Sequence, residues 1–226
     1  MAAARSLVIF DVDGTLCETT AVDDECYIRA CEEFFQIRVA ELDWSASAEV
    51  TDTGVLHWFC EKLGKAPPSP ADVERVRGRF LGLLEGAHAR CPSLFAAKAG
   101  ARALLPELLV TDRVVGIATG GWGKTARFKL RAAGLPESLL VASSDDSRSR
   151  VEIFRLAAER LAGGAGRPEN VTLVGDGVWD VRVAKQLGFS FVGVAVDARA
   201  DKLRAEGAEH VVPDFSDVAR LTRLLA

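Results

Sequence analysis

Two aspartates one residue apart, Asp11 and Asp13, close a short apolar run and are followed at once by Gly14. Carboxylates at that spacing can converge on one point, because a glycine permits the turn that brings both round. Thr119 and Gly120 close a second apolar run. A third run is followed by Asp145 and Asp146, then Arg148 and Arg150, and a fourth by Gly175, Asp176 and Asp180. Carboxylates, a hydroxyl beside a glycine amide, and a cation suit a divalent metal and a phosphate. Magnesium takes oxygen ligands and keeps several waters, so one or two carboxylates and a phosphate oxygen satisfy it. Asp11 and Asp176 can supply them. Phosphoryl transfer asks mainly for positioning and for stabilisation of charge on the equatorial oxygens. A nucleophilic carboxylate splits it into two easier steps through an acyl-phosphate. Asp13 can then give a proton to the leaving oxygen and later take one from water.

The elements that must hold these residues are legible from periodicity. Leu7–Phe10, Val114–Ala118, Leu139–Ala142 and Val171–Val174 read as buried parallel strands, continued by Phe191–Val196 and a strand around Val211–Val212. Helical patterns alternate with them. Lys124–Ala133 closes on Gly134, Val178–Leu187 closes on Gly188, and Ser149–Leu161 opens with Ser149 and Glu152 spaced as a capping box. Alternation of this kind implies βαβ units and a doubly wound parallel sheet. In open α/β sheets ligands bind at the carboxyl ends of the strands, which is where these residues fall.

Residues 20–95 break the alternation. A crossover helix needs about a dozen residues, yet this segment carries three helical patterns, Asp24–Phe35, Val55–Leu63 and Ala71–Leu84, and no strand pattern. The Pro67-Pro68-Ser69-Pro70 run divides it, Pro92 marks its exit, and Lys98–Leu109 reads as a helix feeding the second strand. It reads as a helical insertion over the strand ends, with Thr51-Asp52-Thr53-Gly54 as a polar patch facing the site. Glu25, Arg29, Thr51, Asp52 and Lys62 are its candidate specificity residues.

Asp11-Val12-Asp13-Gly14-Thr15-Leu16 resembles the first motif of the haloacid dehalogenase-like hydrolase superfamily. Ile117-Ala118-Thr119-Gly120 resembles its second, and Gly175-Asp176-Gly177-Val178-Trp179-Asp180 its fourth. The resemblance implies an α/β fold, a doubly wound Rossmann-like parallel sheet with an inserted α-helical cap domain. The core would comprise residues 1–18 and 96–226, and the cap residues 19–95. It also implies roles. Asp11 would be nucleophile and magnesium ligand, Asp13 the acid/base and a carbonyl ligand to Mg²⁺, and Asp176 a further ligand supported by Asp180. Thr119 and the Gly120 amide would hold the phosphate. The third motif is usually a lysine; here Arg150 fits best and Arg148 is the fallback. The activity implied is Mg²⁺-dependent hydrolysis of a small phosphorylated metabolite through an aspartyl-phosphate. Asp13 argues against dehalogenation, which leaves no oxygen to protonate.

Three rivals remain. A phosphomutase keeps both aspartates. A P-loop nucleotide hydrolase is suggested by Ala118-Thr-Gly-Gly-Trp-Gly-Lys-Thr125, which approaches a phosphate-binding loop with Lys124 as its cation. A non-catalytic binding module is the third. A calcium loop is disfavoured because a strand, not a helix, precedes Asp11. With a net charge of −4 and no basic run, the chain does not read as a nucleic-acid binder. The five cysteines include no C-x-x-C pair, so neither a disulfide framework nor a zinc site is suggested. No stretch approaches the ~18–20 apolar residues of a membrane span, and the expected location is cytoplasmic. His57 and His88 are expected to be surface or packing residues, Cys17 a packed thiol, and Trp179 a packing residue beside the site. Oligomeric state is left open.

Overall fold

The computed structural model describes residues 6–38, 49–163 and 170–225. Six strands form one parallel sheet: β1 (Leu7–Phe10), β2 (Val114–Ala118), β3 (Leu140–Ala142), β4 (Val171–Gly175), β5 (Ser190–Val194) and β6 (His210–Val212). Their order is β3-β2-β1-β4-β5-β6. The chain steps outward from β1 to β3 and then returns to the other side of β1, so the switch point lies between β1 and β4. Every residue of β1 is buried, as a central strand covered on both faces requires. The register pairs Phe10 with both Ile117 and Val174. The residues that follow these strands therefore emerge level with one another.

Helices α4 (Ala101–Leu109), α5 (Gly123–Ala132) and α9 (Val218–Leu224) cover one face. Their Leu104, Leu105, Leu108, Leu130 and Leu221 pack on Val8, Phe10 and Ile117. The other face carries α6 (Arg150–Leu161) and α7 (Val178–Leu187), whose Ile153, Phe154, Val183 and Ala184 meet Leu7, Ile9 and Leu173. The last two βα units add α8 (Asp197–Ala205). Only Ala200 and Leu203 of α8 are buried, so its sequence gave little periodic signal. Among the described residues no helix is long and apolar enough to cross a membrane.

Between β1 and β2 stand α1 (Thr20–Phe35), α2 (Asp52–Lys62) and α3 (Pro70–Arg90), followed by a 3₁₀ turn at Pro92–Phe95. These helices have their own apolar cluster around Phe35, Phe59, Phe80 and Leu84, which Trp122 and Phe128 of the sheet-bearing part enter. The proline run ends where expected. Ser69 caps α3 reciprocally with Asp72, and Pro70 takes the first helical position, where its missing N–H costs nothing. The two links to the insertion lie side by side: Glu18 N–H donates to Ala96 O (2.9 Å) and Lys98 N–H to Leu16 O (2.8 Å).

Two sequence expectations are corrected. Ser149 makes no side-chain cap on α6, and the other half of the box is missing too: Ser149 N–H donates to Ser147 Oγ (3.1 Å) while Glu152 pairs with Arg155. The strand expected over Phe191–Val196 stops at Val194; Val196 is half exposed and becomes the N-cap of α8.

Gly100, the N-cap of α4, has φ +79°, and a Cβ there would lie 2.2 Å from the Phe215 backbone. A left-handed conformation costs a non-glycine residue about 1–3 kcal/mol before any clash. Gly100→Ala should therefore lower the unfolding free energy by at least about 2 kcal/mol, read as an earlier urea midpoint. The exposed Gly64, also at positive φ (+62°) but with open space around it, should cost less.

Candidate active site

The carboxyl ends of β1, β2 and β4 bring together most of the residues singled out from the sequence. Asp11 N–H continues the β1 ladder to Val174 O (2.9 Å), which fixes its side chain over the sheet end. Gly14 takes φ +76° just beyond, and a Cβ there would fall 2.2 Å from an Asp176 oxygen. That close approach, open only to glycine, seats the Asp11–Asp13 turn against Asp176. Gly175 serves the same end, since a Cβ there would lie 2.4 Å from Asp180. Asp180, wholly buried, accepts from the Gly177 amide (3.1 Å) at the start of α7. Thr119 is buried beside them, its Oγ1 accepting from Gly121 N–H (3.1 Å).

Arg150, the first residue of α6, is the cation of this group. Its Nε and Nη2 donate to Asp180 Oδ1 (2.9 and 2.7 Å), and Nη2 stands 3.1 Å from Asp11 Oδ1. Nη1 reaches the edge of Gly120, where a Cβ would sit 2.5 Å from it. Arg148, the fallback, is exposed, and its carbonyl accepts from Thr51 Oγ1 (2.6 Å). It lines a separate cavity beside His57. Arg150, not Arg148, is the arginine at the strand ends.

Asp11, Asp176 and Asp180 can each offer a carboxylate oxygen within 4.8 Å of the others. Burial pushes Asp11 well above the usual carboxylate range, opposed by Arg150 and reinforced by Asp180, Asp176 and Asp13. Burial and Asp180 push Asp176 up to about 7 against Arg199 and Arg150. Buried oxygens that repel one another attract a compensating cation, and oxygen-only donors fit magnesium better than a softer metal. Arg199, exposed on α8, already reaches Asp176 Oδ2 (2.9 Å).

The inserted helices close over this floor. A cavity of about 760 Å³ runs from Asp11, Thr119 and Arg150 to Asp23, Asp24 and Tyr27 of α1 and to Thr51 and Asp52. The start of α2 is bonded into the loop after β2. Asp52 N–H donates to Gly120 O (2.8 Å), and Asp52 Oδ2 accepts from Trp122 N–H (2.8 Å). Thr53 N–H donates to Ser144 Oγ (2.9 Å), and the Trp122 indole N–H to Thr53 Oγ1 (2.9 Å). Asp13 differs from its neighbours. Thr19 Oγ1 donates to its Oδ1 (2.5 Å), and the fully buried Lys129 of α5 donates to its Oδ2 and to Asp23 Oδ1 (2.7 Å).

The Thr51–Gly54 patch thus reaches the cavity, but of the five candidate specificity residues only Thr51 and Asp52 line it. Arg29 pairs with Glu33 on the surface, Lys62 lies over Trp58, and Glu25 is exposed. The phosphate-loop reading of Ala118–Thr125 does not fit. Trp122 fills the loop as a wholly buried side chain, and Lys124 leaves it to pair with Glu74 on α3 (3.0 Å). Trp179 lies over Gly177 at the cavity wall, about two-fifths exposed (41%). His88 packs between Phe95 and Phe128, and Cys17 is buried. Asp23, Asp24, Tyr27, Lys129 and Arg199 were missed. Lys129 alone left a signal: it falls one turn after the buried Thr125 and Ala126, a charged residue on an apolar face.

Comparison with known proteins places this arrangement. The model of the haloacid dehalogenase-like hydrolases matches residues 6–188. Protein CbbY of Cereibacter sphaeroides is 28% identical over 237 aligned positions, covering 96% of this chain and 95% of that one. A hydrolase from Pseudomonas syringae superposes with a TM-score of 0.74 at 22% identity, over 98% of this chain and 100% of its own. CbbY from Rhodobacter sphaeroides, solved in complex with phosphate, gives 0.68 at 23% identity, over 95% and 96%. At such identities the two structures speak for the fold.

Asp52 supplies a test of the docked α2. Burial, against the pull of Lys129 and the Trp122 N–H, raises its carboxyl from 3.8 to about 7. A raised aspartate binds a proton in the folded state that the unfolded chain has released, so folding weakens as pH climbs from about 4 to 7. Asn keeps an acceptor for Trp122 without the charge. Asp52→Asn should melt at a higher temperature than the parent, with a gap that widens between pH 5 and 7 and levels off above. A gap independent of pH would show that Asp52 is ionised throughout.

Proposed function

The chain belongs to the haloacid dehalogenase-like hydrolase family, and we propose that it is a Mg²⁺-dependent phosphatase acting on a small phosphorylated metabolite. The observation that carries this reading is the convergence of Asp11, Asp176 and Arg150 at one point, with Thr119 beside it and Asp13 two residues from Asp11. Asp11 and Asp176, with the Asp13 carbonyl, would hold the metal. When bound, Mg²⁺ would supply charge stabilisation for the phosphate oxygens.

The chain's own groups then have distinct tasks. Thr119, the Gly120 amide and Arg150 orient the phosphate, Arg150 through the Nη1 that it turns toward Gly120 while Nε and Nη2 are held by Asp180 and Asp11. Asp180 keeps Arg150 in place. An Asp11 oxygen attacks phosphorus as the ester P–O bond breaks, and Asp13 gives its proton to the leaving oxygen. Water next attacks the aspartyl-phosphate and passes its proton to Asp13. The Asp11–phosphorus bond breaks, and phosphate leaves. Residues 19–95 act as the cap, which excludes water from the first step and shapes specificity. The phosphate held in the related CbbY structure supports the phosphate subsite. Four buried free thiols fit a cytoplasmic setting. A phosphomutase would use the same floor, and nothing in the cavity favours it.

Purified protein with Mg²⁺ should release phosphate from 4-nitrophenyl phosphate and from members of a panel of sugar, nucleotide and organic-acid phosphates. Chelator should abolish this, and Asp11→Asn should bring it to background. Asp13→Asn should lower kcat about 10²–10⁴-fold on alkyl esters, the range of general acid–base catalysis. Chelator-resistant turnover, or full activity in Asp11→Asn, would sink the mechanism. Isomerisation of a sugar phosphate with little phosphate release would make it a mutase.

A further inference from the structure

Lys129 has no part in the reaction above, yet it is the most deeply buried cation of the described residues, with no exposed side-chain surface. Burying an ammonium costs several kcal/mol unless partners compensate. Here the compensation comes from two separate parts of the chain: Asp13 in the turn after β1, and Asp23 on α1 of the insertion, 2.7 Å away. Both carboxylates line the cavity, and Lys129 does not. The ammonium therefore stands behind them. Thr19 Oγ1 holds the other Asp13 oxygen at 2.5 Å. A carboxylate gripped at both oxygens has lost its freedom to rotate. Of its two tethers, Thr19 lies at the edge of the insertion, and Lys129 is shared with it.

We propose that Lys129 is a positioning residue that sets the Asp13 carboxylate from behind and, through Asp23, ties that setting to the seating of α1. The group that exchanges the proton is then oriented only while the inserted helices are docked. Such coupling would keep Asp13 from serving water before an ester is enclosed. The alternative is that Lys129 merely neutralises a buried pair and touches no aspect of catalysis. The proposal rests on the phosphatase reading.

The two roles differ in what they do to leaving groups. An alkyl ester needs a proton on its departing oxygen, whereas 4-nitrophenolate leaves without one. Lys129→Met should lower kcat on the best aliphatic phosphate of the panel by roughly 10²-fold, within the range of general-acid catalysis, with KM little changed. The single-turnover burst of 4-nitrophenolate should fall less than about tenfold, well short of that acid contribution. Because Lys129→Met leaves two carboxylates uncompensated, Lys129→Met/Asp23→Asn is the second variant, with circular dichroism confirming the fold; the same split is expected. Equal losses on both esters, or a change confined to KM, would overturn the role of Lys129. So would failure of both variants to fold, which would make Lys129 a structural cation. A wild-type protein inert toward both esters would instead overturn the phosphatase reading itself.

Discussion

Crowded negative charge is the constraint on which this molecule is organised. The parallel register places Asp11 and Asp176 at adjacent strand ends, and α7 adds Asp180 within a few ångströms. Buried carboxylates at that separation repel one another strongly in a medium that screens poorly. They persist because Arg150 is buried among them and bonded to Asp180. Burial alone would favour the neutral guanidine, but Asp180 and Asp11 outweigh it and hold Arg150 charged. The glycines at 14, 120 and 175 follow from the same crowding, for a methyl group at any of them would strike a charged side chain. Gly14 is required on a second count, because its φ of +76° would strain any other residue whatever the space around it.

The second dependence runs through the loop after β2. A loop of glycines before a helix ordinarily suggests a cradle for phosphate. Here Thr119, Gly120 and Gly121 line the cavity, while the next residue, Trp122, docks the insertion. Trp122 turns into the apolar cluster with Tyr27 and Phe80, and its backbone and indole N–H groups meet Asp52 and Thr53. An aromatic anchor of this kind combines a large buried area with a satisfied polar handle. The wall of the cavity is thus built from the same short segment as its floor. That is why the start of α2, rather than the exposed Glu25 or Lys62, meets the site.

Much of this was legible in the sequence, for identifiable reasons. Strand ends announce themselves because apolar runs stop abruptly, β1 at the charged Asp11 and β2 at Thr119-Gly120, and the two strands fall at Leu7–Phe10 and Val114–Ala118 as read. The departure from alternation at residues 20–95 showed itself through length alone. What escaped was long-range pairing. Asp23 and Asp24 look like an ordinary acidic first turn, favourable at a helix N-terminus, and nothing local says that Asp23 faces a lysine 106 positions away. Arg199 sits in a helix with too few buried residues to be noticed. The Ser149–Glu152 spacing misled because both halves of the box have equally local partners, Ser147 for the Ser149 amide and Arg155 for the carboxylate.

The two buried cations also explain each other. Arg150 faces oxygens from several directions, and a planar fork of donors can bridge Asp180 and Asp11 while leaving an edge toward Gly120. A lysine there would offer a point charge in place of that extended fork. Lys129 has the opposite surroundings: two carboxylates from different segments and an apolar helix face behind. A compact ammonium on a flexible stem fits that narrow space, and its stem is accommodated by the packing around α5. Exchanging the two would leave an oxygen unmet at the strand ends and crowd the back of the site. The division follows from geometry. Where charge must be spread over a plane of oxygens the chain places arginine, and where it must pin two separate segments at one point it places lysine.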